Sequence, residues 1–210
     1  MSGLAITAVQ AEGGPARALL DAAERGDVGA IEQSLAAGVK VDVRDGAGRT
    51  PLLLATHKNR IDAARRLIAA GADVNAKDNV EDSPFLYAGA EGRNEILRMT
   101  LAAGADLKST NRYGGTALIP AAHHGHPETV KILLATAIDK DHVNKLGWTA
   151  LLEAVVLGDG GPVHTEIVRL LVTAGANVNV PDRQGVTPLQ HAKRSGYSRM
   201  VSILQAAGAR

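Results

Sequence analysis

Residues 49–77 read RTPLLLATHKNRIDAARRLIAAGADVNAK, and the order of signals in this stretch decides the fold. Thr50 before Pro51 marks a helix start. The hydroxyl can accept from an orphan backbone N–H, and proline loses nothing at a first helical position, where no intrahelical bond is donated. Leu52, Ala55 and Thr56 then give a small-residue face at helical spacing, broken at Asn59. Ala64, Leu67 and Ile68 carry a second apolar face, and Gly71 stops it, because a left-handed residue after a helix is least strained as glycine. Ala72-Asp73-Val74-Asn75 leads into an extended loop. The stretch predicts two short antiparallel helices and a loop, a unit too small to bury its own apolar side.

The unit is copied along the chain. Thr50-Pro51, Ser83-Pro84, Thr116-Ala117, Thr149-Ala150 and Thr187-Pro188 stand 33, 33, 33 and 38 residues apart, and Gly38, Gly71, Gly104, Gly175 and Gly208 keep the same rhythm. With Thr-Pro-Leu opening a helix pair at a 33-residue period, the chain resembles the ankyrin repeat family over nearly its whole length from about Arg17. The resemblance implies an all-α solenoid of helix-turn-helix units joined by β-hairpin-like loops. Six repeats are expected in a single domain, at 17–45, 46–77, 78–110, 111–143, 144–181 and 182–210. Leu67, Leu101 and Leu134 are expected on one interior seam.

A formal net charge of +1 leaves no basic excess to hold a polyanion, so neither nucleic acid nor an anionic membrane is an expected partner. The absence of cysteine removes disulfides and thiolate metal sites. No apolar run approaches the roughly 18 residues of a spanning helix. Residues 4–9 are apolar, and Val9 and Ala11 would suit a small-residue cleavage site, but the run is short and no basic segment precedes it. Residues 1–16 are therefore read as a flexible leader, or as the stub of a trimmed export signal. A cytoplasmic monomer is expected, or a periplasmic or secreted one if residues 1–11 are such a remnant.

Some positions depart from the template. Glu81 stands where the second repeat has Gly48, which predicts a different backbone at that hairpin tip. Pro120 falls inside a first helix, tolerable only near its first turn. Ala137 replaces the terminating glycine, at a cost of about 0.5–1 kcal/mol if it takes φ > 0. The 38-residue interval leaves five extra residues in the stretch 158–162, rich in Gly and Pro and read as a loop. Insertions in repeat arrays gather on one face, often the binding face. The family usually has histidine two residues after the Thr-Pro proline. Here Leu53, Leu86, Ile119, Leu152 and Gln190 stand there, so apolar packing is expected in place of a histidine network.

The resemblance also implies where partners bind: on the hairpin tips and the exposed side of each first helix. Carried onto the middle repeats, this selects Asp82, Arg112, Tyr113, Lys145 and Trp148 at the tips. The helices contribute Glu91, His123, His124, Val156 and Leu157, with Tyr87 and Glu153 one turn earlier. Trp148 is the only tryptophan in a chain with 2% aromatics, and with Tyr113 and Tyr87 it would share one surface. Exposed aromatics of this kind suit interface anchors, the alternative being that Trp148 folds back as packing. With Asp159 in the inserted loop, these residues form the expected partner site. The function read from them is a non-enzymatic scaffold binding an unidentified protein through the concave groove and tips of repeats three to five.

Enzyme signatures are missing: no phosphate loop ending in Gly-Lys-Ser/Thr, no Gly-x-Ser-x-Gly elbow and no His-Glu-x-x-His. An alternative makes the same patch a small-molecule or catalytic pocket, with Glu153 or Asp159 as base beside His123, His124 or His191. Open grooves, however, do not exclude the water that such chemistry must shed. His123, His124 and His126 form the densest histidine cluster, but His126 matches the family's ordinary Gly-His turn. No metal or cofactor is expected.

Overall fold

Thr50 Oγ1 accepts from the Leu53 amide at 3.2 Å, and Pro51 takes the first helical position. Ser83, Thr149 and Thr187 cap the equivalent helices in the same way. A computed structural model describes residues 14–210, so most of the stretch 1–16 read as a leader or export-signal stub lies outside the described residues, while Pro15 and Ala16 at its end belong to the first helix. Within them the chain forms six helix pairs: α1 (Pro15–Arg25) with α2 (Val28–Ala36), α3 (Pro51–His57) with α4 (Ile61–Ala69), and α5 (Pro84–Ala90) with α6 (Asn94–Ala102). The series continues with α7 (Leu118–His123) and α8 (Pro127–Leu134), α9 (Ala150–Val156) and α10 (Pro162–Thr173), and α11 (Pro188–Arg194) and α12 (Ser198–Ala206). First helices pack on first helices and second on second, each against its neighbours in the next repeat. The result is an all-helical, two-layer solenoid. Among the described residues no helix is long and apolar enough to cross a membrane.

Two seams run through the stack. Leu52, Phe85, Leu118, Leu151 and Leu189 line the first-helix layer, and Leu67, Thr100, Leu133, Leu171 and Leu204 line the second, all of them buried. Leu101 and Leu134 touch the same core but lie at its margin. Each sits one residue past the seam position, a rotation of about 100° around the helix. Leu53, Leu86, Ile119 and Leu152 are buried in place of the family's histidine. Gln190 instead completes a capping box, its Oε1 accepting from the Thr187 amide at 3.0 Å.

The departures resolve individually. Glu81 keeps the backbone of the other hairpins, with φ +66°, close to the +78° of Gly48 and +72° of Gly114. The expected change at that tip does not occur, because the turn is set by a side chain four residues or fewer away. Asp78 Oδ1 accepts from the amides of Val80 and Asp82, as Asp45, Asn111, Asn144 and Asp182 do at their own tips. Glu81 therefore carries the strain of a left-handed non-glycine residue, about 1–2 kcal/mol.

Pro120 has a larger effect. Leu54, Tyr87, Glu153 and His191 each donate their amide to the carbonyl of the capping residue, and Pro120 stands at that position without an N–H. The Thr116 carbonyl instead takes the Ile119 amide at 3.1 Å, tightening the turn, and α7 shrinks to six residues. Thr116 Oγ1 is left buried with no partner among the described residues. At Ala137 no left-handed residue is used: the Thr136 hydroxyl donates to the Leu133 carbonyl at 2.6 Å and accepts from the Ile138 amide at 3.2 Å.

The insertion is not wholly a loop. α10 has 12 residues where α4, α6 and α12 have 9, so much of the extra chain lengthens the helix. The remaining connection is pinned to its neighbours. Tyr197 donates its hydroxyl to the Gly158 carbonyl at 3.1 Å, and its ring lies so close to Gly160 that a Cβ there would come within 2.3 Å. His164, near the start of α10, donates from Nε2 to the His123 carbonyl at 2.9 Å.

Candidate functional site

Where repeats three, four and five meet, the hairpin tips and the first helices enclose a cleft of about 470 Å³. Asp82, Arg112 and Tyr113 reach it from the tips, and Tyr87, Glu91, His123, His124, Glu153 and Leu157 from α5, α7, α9 and their ends. Nine sequence-selected residues are thus brought together. Lys145, Trp148, Val156 and Asp159 are not among the residues lining the cleft.

The hairpin geometry explains that division. Each tip Asx side chain accepts from the amides two and four residues on. The residue at plus two is the apex and stands out from the stack: Val80 is 51% exposed, Tyr113 52% and Leu146 50%. The residue at plus four turns back toward the repeats, and Trp148 occupies that place, half-buried. Leu146 therefore takes the exposed position in the cleft that the sequence reading gave to Trp148. Lys145 is drawn toward the preceding tip, where Nζ donates to the Arg112 carbonyl at 3.0 Å. Asp159 sits on the pinned connection, its carboxylate 3.3 Å from His164 Nδ1.

Glu153 forms the innermost charged group, only 5% exposed. Its Oε1 accepts from Asn144 Nδ2 at 2.9 Å, and its Oε2 lies 3.5 Å from His123 Nδ1. Burial raises its pKa above the ordinary carboxylate value, outweighing the Asn144 hydrogen bond and the His124 charge. Burial lowers that of His123, and His124 and His164 push the same way. Both groups are moved toward their neutral forms. His124 Nδ1 lies 2.8 Å from the Ala90 carbonyl and 3.7 Å from Glu91.

Nearer the tips, Arg112 lies 3.6 Å from Asp82 and 4.9 Å over the Tyr113 ring. Burial nonetheless raises the Asp82 pKa, since a half-exposed ion pair of that length does not offset it. Tyr87 packs against His57 with ring centroids 4.1 Å apart and planes tilted by 45°, and burial, aided by Glu91, raises its phenol. Among the described residues no three His, Asp or Glu side chains converge as metal ligands.

The sequence reading missed Leu146 and Asn144 among the lining residues, while Pro120, on the same helix face as Tyr87 and Glu153 by register, does line the cleft. The recurring Asx at each tip was the available signal for the two that were missed. Asp45, Asp78, Asn111, Asn144 and Asp182 precede each Thr or Ser cap by five residues, and the register of the turn follows from them.

The model of the family described as ankyrin repeats (3 copies) matches residues 19–111 and 85–182. An ankyrin repeat domain of Acinetobacter baumannii AYE, ABAYE2397, superposes with a TM-score of 0.89 at 57% identity, over 91% of this chain and 98% of that one. The ankyrin repeat protein EF0377 gives 0.87 at 44%, over 90% and 97%. The ankyrin repeat domain of Bcl-3, a member of the IkappaB protein family, gives 0.82 at 30%, over 92% and 86%. A curated relative, the Escherichia coli (strain K12) protein YahD, described as an ankyrin repeat protein, is 44% identical over 57 residues, 27% of this chain; the chain spans only 28% of its length. Helix pairs, period, caps and relatives agree: the chain belongs to the ankyrin repeat family.

Proposed function

We propose that this chain is a non-enzymatic scaffold that binds a protein partner through the cleft and hairpin tips of repeats three to five. Ankyrin repeats in general are protein–protein interaction modules. The observation that carries the reading is the ring of apolar side chains left half in water around the cleft: Tyr113 at 52%, Leu146 at 50% and Leu157 at 42% exposed. Large apolar groups gathered about a concavity mark interaction surfaces. They come from two tips and the end of α9, so one partner segment lying along the groove would touch all three.

The test compares wild type with a Tyr113→Ala/Leu146→Ala double variant. Proteins retained from an extract of the source cells by the wild type are expected to be lost by the variant, with the thermal midpoint unchanged. Retention of the same proteins by the variant would move the interface elsewhere.

A small-molecule or catalytic role for the cleft has one observation in its favour, the Glu153–His123 pair with both groups moved toward neutrality. The half-exposed rim weighs against it, because water that reaches the pair screens the charge development that acid–base chemistry must control.

A further inference from the structure

Three carboxylates and one arginine line the cleft. Arg112 serves Asp82, the carboxylate at the hairpin tip, while lying over Tyr113. Glu153 and Glu91 have no such partner among the described residues: His123 at 3.5 Å and His124 at 3.7 Å are their nearest basic groups. His124 Nδ1 is already engaged by the Ala90 carbonyl. One oxygen of Glu153 takes the Asn144 amide, and the other has no donor at hydrogen-bond distance among the described residues.

A carboxylate 5% exposed is largely desolvated, its second oxygen keeps only its opening to the cleft, and a donor brought there by a ligand restores what burial removed. Since His123 is held toward its neutral form, it supplies little of that charge. The walls suit a charged head on an apolar stem: Tyr87, Ile119, Pro120 and Leu157 offer methylene contacts, and tyrosine faces attract cations. Arg112 over Tyr113 shows a guanidinium already seated at one edge of the same cleft.

Resting on the docking reading above and narrowing it, we propose that the cleft takes the cationic side chain of an arginine or lysine in the partner. Its head group lies at Glu153, with Glu91 beside the path in, and its apolar neighbours lie on Tyr113 and Leu146. The recognised feature is a single basic residue flanked by apolar ones, and an acidic or phosphorylated segment is repelled by the two unmatched carboxylates.

A random short-peptide library displayed on phage, panned against the wild-type protein, tests this. Enrichment of Arg or Lys at one aligned position between apolar residues is the expected result. Synthetic copies are expected to bind about thirtyfold or more weakly when that residue becomes citrulline or norleucine, or when Glu153→Gln replaces the floor. Glu91→Gln, at a partly exposed position, is expected to weaken them less but in the same direction. Peptides lost on Tyr113→Ala/Leu146→Ala but carrying no basic residue would overturn this inference and leave the docking reading standing. Binders indifferent to that double variant, or no binders at all, would overturn both.

Discussion

Asn144 Nδ2 donates to Glu153 Oε1 at 2.9 Å, and the same separation of nine residues brings Asp182 Oδ2 to within 2.7 Å of His191 Nε2. In both repeats the Asx side chain that shapes a hairpin with one atom uses its other atom to hold a side chain of the following helix. The chemistry is matched: an amide donor stands opposite a carboxylate, and a carboxylate opposite an imidazole. Repeat four has the turn without the pair, since Asn111 has Pro120 nine residues on.

That contrast separates the two jobs. Asn144→Asp keeps both turn acceptors but sets a carboxylate against Glu153, and is expected to lower unfolding free energy by about 1–3 kcal/mol at neutral pH. Asn111→Asp, with no charge opposite, is expected to stay within about 0.5 kcal/mol of wild type. Urea denaturation of the two variants measures the difference, and equal losses would mean that the turn rather than the pair was disturbed.

Acid and base should act oppositely on the two pairs. Glu153, raised by burial above its ordinary 4.5, keeps its proton in the folded state only over the interval between 4.5 and the folded value, where the unfolded chain has already released it. It therefore favours folding at low pH, and that contribution is lost as pH rises through the folded value. Glu153→Gln is expected to gain on wild type from about pH 4.5 upward. At Asp182 burial pushes upward, but the Val186 amide, the His191 ring and the Gln184 amide outweigh it and leave the group below its ordinary 3.8. Its contribution is full above 3.8 and disappears as pH falls through the folded value, so the deficit of Asp182→Asn is expected to close in acid. Thermal midpoints across about pH 3 to 7 follow both trends, and parallel curves for the two variants would contradict them.

Thr116 and Thr149 occupy equivalent caps with different fates. Thr149→Val removes the acceptor for the Leu152 amide and is expected to cost about 1 kcal/mol. Thr116→Val removes a buried hydroxyl that has no partner among the described residues, and is expected to be neutral or stabilising by up to about 1 kcal/mol. Equal losses in chemical denaturation would mean that Thr116 has a donor after all.

Glu81→Gly relieves a left-handed residue at a tip where Gly48, Gly114, Gly147 and Gly185 already stand in the same conformation. A gain of about 0.5–1 kcal/mol is expected. A loss would show that the Glu81 side chain makes a contact worth more than the strain.

The repeat architecture was legible because its signals are local. A hydroxyl cap, a proline at the first helical position and a glycine after the second helix each act within a turn of backbone, and their recurrence from Thr50 to Gly208 needs no knowledge of distant contacts. The positions that the family resemblance implied, carried along the chain by register, include nine of the cleft's lining residues, since a regular stack brings each to the same side. What only the tertiary structure decided was which neighbours cover which side chains. Leu146 rather than Trp148 meets the cleft because the Asn144 turn sends alternate tip residues outward and back. Asp159 stays off it because Tyr197 and His123, 38 and 36 residues away in the chain, pin the connection it lies on and the helix that follows. Burial of Glu153 depends likewise on three repeats closing around it, and a desolvation that several segments create together cannot be read from any one of them.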